Sequence, residues 1–472
     1  MTTITKITYI YLAIAPLFSG CRKFVEVDPP YTNTSREQVF NTDGNATAAL
    51  TGIYMQLSKE NLENGAMRII SLYAGLSADE LVVTPRGVNE VVNQYATNQL
   101  QPSIDQFTWR GMYNRIFEVN AALEGLEKSA TLTPEVKAQL TGEAKFFRAF
   151  SYFYLTNLYG EIPLALTTDY SVNRALIKAS QDKVYAQIIN DLLDAEQLLS
   201  ADYKAADALS TTTERVRPCK GAASALLARV YLYTKDYSNA ILYSSKLIDN
   251  SAVYDTVPLS DVFLANNKEA IWQIPSVNGL NQTNTSEGRI FIVSPTTNQI
   301  GGPSQQISNW LLDAFEPGDL RKTNWIAAGK SNADIEYIFP FKYKIGFEYV
   351  PQVEYSTILR LAEQYLIRGE ARANAGDPDG ATADINVVRK RAGLTAITAN
   401  DLPGLMEAVI QERRVELFTE WGHRWLDLKR LNLTTEVLSL IKPDWRATSV
   451  LYPIPQSDLD RAPQLKQNEG YN

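Results

Sequence analysis

The stretch LMEAVIQERRVELFTEWGHRWLDLKR, residues 405–430, decides how the rest of this chain is read. Met406, Ile410, Leu417 and Trp421 fall at i, i+4, i+11 and i+15, the spacing of one helical face, which predicts a helix from Leu405 to Arg430. Arg413 and Arg414 lie in the gap of that stripe, so at least one guanidinium is expected to point into the core. A buried charge without a partner is very costly, so Glu416, Glu370 or Asp427 should sit beside it. His423 with Asp427 one turn on could form an oriented general base; its plainer use is to orient the helix end within an Arg-Trp-Asp cluster. Glu412 and Glu416 are also one turn apart. Two carboxylates on one helix clamp poorly around a glycosidic bond approached from both sides. Ion pairing with Arg413, Arg414 or Arg424 is the expected use.

Three further segments have helical periodicity. Around 143–160, Phe147, Phe150, Tyr154 and Leu158 make a stripe while Phe146, Phe153 and Leu155 cover the opposite side. A helix apolar nearly all round is buried, so this one should be central. The segments 221–249 and 359–391 each divide at a turn, Lys235-Asp236 and Gly376-Asp377-Pro378. Aligning Ala381 with Ala240 sets Gly369 beside Ala228, so both hairpins carry a small residue at the helix crossing. This spacing is similar to the tetratricopeptide repeat, although the two copies are far apart in sequence. Between these helices, residues 82–106 and 275–305 are rich in Asn, Gln, Thr, Gly and Pro, and Asn324–Val350 adds aromatics; the ligand-side loops are expected around 82–106 and 275–350. Neither stretch sustains helical periodicity, and short strands are expected after Asn324. Long loops of this kind are usually functional or disordered.

Composition points the same way. The 472 residues hold 45 Lys+Arg against 53 Asp+Glu, a net charge of −8, which argues against a nucleic-acid partner. One histidine excludes a multi-histidine metal centre, and two cysteines, Cys21 and Cys219, cannot build a thiolate cluster. Against that stand 25 Tyr, 16 Phe and 7 Trp. Catalytic groups are scarce and aromatic surface is plentiful. No metal, cofactor or catalytic residue is expected.

Residues 1–20 read as a secretory signal: Lys6, then the apolar run Ile7–Phe18, too short to span a membrane. The small residues Ser19-Gly20 before Cys21 resemble a lipobox, so Cys21 is the expected lipidation site. Residues 21–35, with Pro29-Pro30, read as a tether to a single body over 36–472.

The long helix is more specific than its periodicity. Glu412-Arg413-Arg414, Glu416-Leu417, Gly422-His423-Arg424-Trp425 and Asp427-Leu428 resemble the ERR-x-EL…GHRW-x-DL signature of the SusD/RagB family. In order along the chain, Arg148-Ala149 to Pro163-Leu164, Arg360-Leu361-Ala362-Glu363 through Gly393-Leu394, and Leu451 to Tyr471 match other blocks of that family, with Glu469 in place of a usual proline. The resemblance implies a mainly α fold with four tetratricopeptide-like helix pairs and a loop-rich ligand-binding part with short strands. It implies a lipoprotein tied to the outer membrane by its lipid anchor alone and facing the cell exterior. Such a protein captures oligosaccharides and passes them to a SusC-like TonB-dependent transporter. Arg413, Arg414, Glu416, His423, Arg424, Trp425 and Asp427 then form a structural motif. Peptide capture and a scaffold that only organises other proteins are the alternatives.

Glycan binding asks for exposed aromatic platforms with amides beside them to bond hydroxyls. Asn93, Tyr95 and Gln99 in the first loop, and Asn281 and Trp325 in the second region, fit that description. Trp109, Tyr113, Ile116 and Asn120 are expected in the core, and Trp310, at the start of an expected Leu311–Phe315 helix, in packing. Asp79-Glu80 could bind calcium, but without an EF-hand pattern it is read as a helix-start or surface pair.

Overall fold

The computed structural model describes residues 39–58, 70–84, 89–103, 107–277, 284–292, 305–330, 336–346 and 350–471. The signal segment, Cys21, the tether and Asn281 lie outside them. The principal helices are α1 (Asp43–Ser58), α2 (Glu90–Thr97), α3 (Phe107–Lys128), α4 (Pro134–Tyr159), α5 (Gln181–Leu198), α6 (Lys220–Tyr233), α7 (Tyr237–Ile248), α8 (Leu361–Ala375), α9 (Pro378–Arg391), α10 (Leu402–Glu416) and α11 (His423–Arg430). The strands used below are β1 (Leu81–Val83), β2 (Ala270–Ile274), β3 (Gln305–Ile307), β4 (Ile326–Lys330), β5 (Glu336–Pro340) and β6 (Ser356–Arg360). They pair antiparallel in twos, β1 with β3, β2 with β6 and β4 with β5, and among the described residues no pair grows into a larger sheet.

From α3 to α10 each helix packs on the next, and α1 closes over α3 and α4. The centre of this stack is α4, in which every residue from Phe146 to Tyr159 is buried. Its all-round apolar surface is matched by neighbours on every side: Phe146 and Phe150 meet Trp272 edge-on, and Phe150 also meets Trp421. Pro134 opens the helix where its missing N–H costs nothing, and Gly160 at φ 78° ends it.

Local chemistry sets the hairpin turns. Gly376 adopts the left-handed conformation that stops α8, Asp377 accepts from Gly380 N, and Pro378 starts α9. Asp236 caps α7 in the same way through Asn239 N. At the α8–α9 crossing, a Cβ on Gly369 would stand 3.3 Å from Ile385 Cγ1, which is why the position is small. Ala228 fills the matching place on α6, fully buried.

The stretch 405–430 is not one helix. It divides into α10 and α11 because Thr419, Trp421 and Gly422 all take positive φ, turning the chain between the two halves of the motif. The buried stripe of α10 is Leu405, Val409, Glu412, Arg413 and Glu416, while Met406 and Ile410 are only half-buried. The break rephases the later positions, so Leu417 and Trp421 reach the core by way of the turn. A second difference is α2, which lies inside the stretch 82–106 expected to be loop. Asn89 caps it through Val91 N and Val92 N.

Candidate functional site

The motif residues form a buried electrostatic lattice. Glu416 is fully buried and receives Arg360 at 2.6 Å, Arg321 at 3.1 Å and Arg391. Burial pushes its carboxyl up, but the three guanidiniums outweigh that and hold its pKa well below the usual carboxylate range. Glu412 pairs with Arg321 and with Arg389, the latter at 3.2 Å. Glu420 pairs with Arg360 at 2.7 Å and Lys342 at 2.5 Å. The Lys342 ammonium also stands 3.9 Å from the Phe418 ring centroid. The partners of Glu412 and Glu416 are thus Arg321, Arg360, Arg389 and Arg391, not Arg413, Arg414 or Arg424 as expected from proximity along the chain. The inward face of α10 meets other segments, and its own arginines leave in other directions. Arg413 pairs with Asp427 at 2.7 Å, and Asp427 with Arg430, which reaches Glu370. His423 is buried, and burial together with Arg229 and Arg413 pushes its pKa well below the ordinary value, so the ring is neutral. Trp425 is fully buried and stacks on Tyr452.

Asp79 and Glu80 are buried, which corrects the expectation of a surface pair. Asp79 is the shared carboxylate of Arg424 (2.7 Å) and Arg414 (2.8 Å). Burial alone would raise its pKa; the Arg424 bonds outweigh it and the net shift is downward. Among the described residues Glu80 has no such arginine partner. Burial and the neighbouring Asp79 charge push it up to about 8, so it is largely protonated at neutral pH.

Above this pair the two long loops meet. Val83 faces Gln305 and Leu81 faces Ile307 across β1 and β3. The chain then turns at Ser308, whose Oγ donates to Asp79 O and accepts from Leu311 N, opening the short helix Asn309–Leu312. In that helix Leu311 is buried and Phe315 follows on the same side. Trp310 is one position off this stripe and therefore points outward, 51% exposed, the one exposed tryptophan of the seven. Its carbonyl accepts from Arg414 Nη2 at 2.8 Å. Asn93, on the outer face of α2, lines the same recess as Trp310, with Thr97, Val83 and Ile441; the recess measures about 230 Å³. Lys442 underlies it but spends its three donors on Leu76 O, Ser77 O and Asn98 Oδ1. On the other side of the Asp79–Arg414 pair lies a cleft of about 880 Å³, walled by Arg389, Arg414, Arg424, Glu316, Glu407 and Glu436.

The structure separates the remaining sequence candidates. Tyr95 is buried and stacks on Tyr73 with centroids 4.1 Å apart, because it lies on the inward face of α2. Trp325 is fully buried, with Nε1 donating to Leu259 O at 2.9 Å. Neither offers a ring face to a ligand, which corrects both expectations. Gln99 is spent on the protein: it donates to Asp444 O and accepts from Arg446. Among the described candidates Asn93 alone remains open, and Trp310, expected in packing, joins it. The off-stripe position of Trp310 beside Leu311 and Phe315 was the available signal.

An aromatic–amide recess thus lies on a helical scaffold where the two long loops meet. The family model for SusD-like proteins, described as starch-binding and associating with the outer membrane, matches residues 23–232, and the SusD family model matches 352–471. The chain belongs to the SusD family. It is 24% identical to SusD-like protein P25 of Formosa agariphila, over 99% of this chain and 98% of that one. It is 25% identical to the starch-binding protein SusD of Bacteroides thetaiotaomicron, over 81% and 82%. A crystal structure of a SusD superfamily protein from Bacteroides vulgatus superposes with a TM-score of 0.79 at 23% identity, covering 91% of this chain and 99% of that one. The fold is mainly α and SusD-like. A solved laminarin-binding SusD-like protein superposes with a TM-score of 0.74 at 23% identity, covering 90% of this chain and 99% of that one.

Proposed function

We propose that this protein is a lipid-anchored outer-membrane protein on the cell exterior that captures oligosaccharides and hands them to a SusC-like TonB-dependent transporter. The observation that carries the reading is Trp310, an exposed indole beside the Asn93 amide at a recess walled by the two long loops. An indole face packs on the apolar C–H face of a sugar ring, and an amide both donates to and accepts from hydroxyls. Cys21 carries the lipid, and the segment after it tethers the body. The role is capture without chemistry: Glu412 and Glu416, the carboxylates one would assign to hydrolysis, are held in buried ion pairs. The family description supports the membrane location and the carbohydrate class.

Isothermal titration against a panel of oligosaccharides and peptides tests this. A saccharide that binds should lose at least tenfold in affinity on Trp310→Ala, the loss typical of an aromatic anchor (about 1.4 kcal/mol or more). Binding that ignores both Trp310→Ala and Asn93→Ala would remove the recess from the reading. Silence across the whole panel would sink ligand capture itself.

A further inference from the structure

We infer that the cleft walled by Arg389, Arg414 and Arg424, across the Asp79–Arg414 pair from Trp310, is a subsite for the carboxylate of an acidic saccharide, held by Arg414 and Arg424. The inference rests on the saccharide-capture reading and narrows its ligand to chains containing a uronic acid.

Most buried guanidiniums in this protein are saturated by carboxylates. Arg321 engages three acids, Arg360 three, and Arg389 is spent on Glu316, Glu412 and the Thr395 carbonyl. The pair at the cleft is different, since two arginines share the single carboxylate of Asp79. Both direct Nη2 to the same oxygen, Oδ2, at 2.8 Å, so the guanidiniums converge. Arg424 uses Nε and Nη2 on Asp79, and Arg414 uses Nη2 on Asp79 and on the Trp310 carbonyl. The bonds of the two guanidiniums among the described residues use Nη2 of Arg414 and Nε and Nη2 of Arg424, which leaves Nη1 of each unengaged, and Arg414 Nε is buried without a partner. Glu80 does not supply the missing charge, because burial keeps it largely protonated.

The imbalance is visible in Arg414 itself. Arg321, Arg360, Arg389, Arg413, Arg424 and Arg430 are all stabilised in their charged form. Burial, with Arg424 close by, pushes Arg414 down in spite of Asp79. A planar carboxylate entering the cleft meets the Nη1 groups and supplies the absent charge. Three acids also stand on the cleft wall. Glu316 is engaged by Arg389, whereas Glu407 and Glu436 are exposed and oppose any anion that enters.

The test uses the full chain, an oligogalacturonate and its methyl ester of the same length, by titration calorimetry at low and moderate salt. The acid should bind about ten- to a hundredfold tighter than the ester, the range of one to two charge-assisted hydrogen bonds. Only the acid should weaken as salt rises. Arg414→Gln should erase that preference. Arg424 still holds Asp79 in this variant, and the far-ultraviolet spectrum reports its folding. Glu407→Gln with Glu436→Gln, on exposed positions that do not threaten the fold, should strengthen the preference severalfold. Equal binding of acid and ester, or a preference indifferent to both sets of variants, overturns the inference. In that outcome the ester still binds, and saccharide capture stands. If neither ligand nor any member of the wider panel binds, the capture reading itself has failed.

Discussion

Glu416→Gln is the sharpest perturbation of the scaffold. The glutamine keeps the size of the side chain and one carbonyl oxygen but removes a charge that faces Arg360 at 2.6 Å, Arg321 at 3.1 Å and Arg391. It also turns an amide NH2 towards groups that are themselves only donors. The site is fully buried, so water cannot make good the loss. Breaking one side of a buried ion pair costs about 3–5 kcal/mol, and with three cations on this carboxylate the upper part of that range is expected. Lys330–Glu336 supplies the internal control, with its charges 3.6 Å apart and its side chains 55% and 78% exposed. Glu336→Gln should cost less than about 1 kcal/mol. Equilibrium urea denaturation followed by tryptophan fluorescence at pH 7 compares the two. The pH dependence has a definite sign: a carboxylate whose folded pKa is lowered stabilises above its unfolded value of about 4.3. That stability is lost as pH falls through the folded value, so the gap between wild type and Glu416→Gln should close only in strong acid. A Glu416→Gln cost no larger than that of Glu336→Gln would refute the lattice as a source of stability.

Glu80→Gln should stabilise the protein, and increasingly so as pH rises. A carboxyl raised from 4.5 to about 8 favours the folded state below its unfolded pKa and loses that advantage as pH climbs to the folded value. The gain from the substitution should therefore be absent below about pH 4, grow between 4.5 and 8, and then level off; a pH-independent difference in melting temperature would contradict the assignment. Gly422→Ala should lower stability by about 1–3 kcal/mol. The position has φ 73°, and a Cβ there would stand 2.7 Å from Ala74 Cβ. An unchanged melting temperature would show that the turn between α10 and α11 can relax.

Much of the scaffold was legible because its signals are local. The all-round apolar run of α4, the Gly-Asp-Pro turn before α9 and the small residue at the α8–α9 crossing each follow from a few neighbouring residues. Asp427 is among the partners the sequence offers an inward guanidinium in α10, and it is the one Arg413 meets, fourteen positions away. The partners of Glu412 and Glu416 were not legible, since Arg321, Arg360, Arg389 and Arg391 arrive from three other segments that periodicity cannot bring together. The kink in the motif was hidden for a related reason. Left-handed φ at Thr419 and Trp421 is imposed by packing, and only Gly422 advertised it. At the recess, polarity of the segment concealed α2, and with it the fact that Tyr95 faces inward while Asn93 faces out. Trp325 is a bulky aromatic in a polar neighbourhood, and nothing near it in sequence reveals the Leu259 carbonyl that it bonds.

The lattice around Glu416 also has a kinetic consequence. Its members come from residues 269, 319–321, 342, 360, 389–391 and 412–420, stretches that a partly open molecule would have to separate. Any one of them leaving alone strands an ion in apolar surroundings, so small local excursions are penalised as heavily as large ones. Amide exchange along α10 and β6 is therefore expected to proceed by whole-molecule unfolding, whereas the short, half-exposed helix that carries Trp310 can exchange on its own. Rigid clasp and pliable rim lie within one chain, joined at Asp79, and the rim can change its side chains while the clasp keeps its shape.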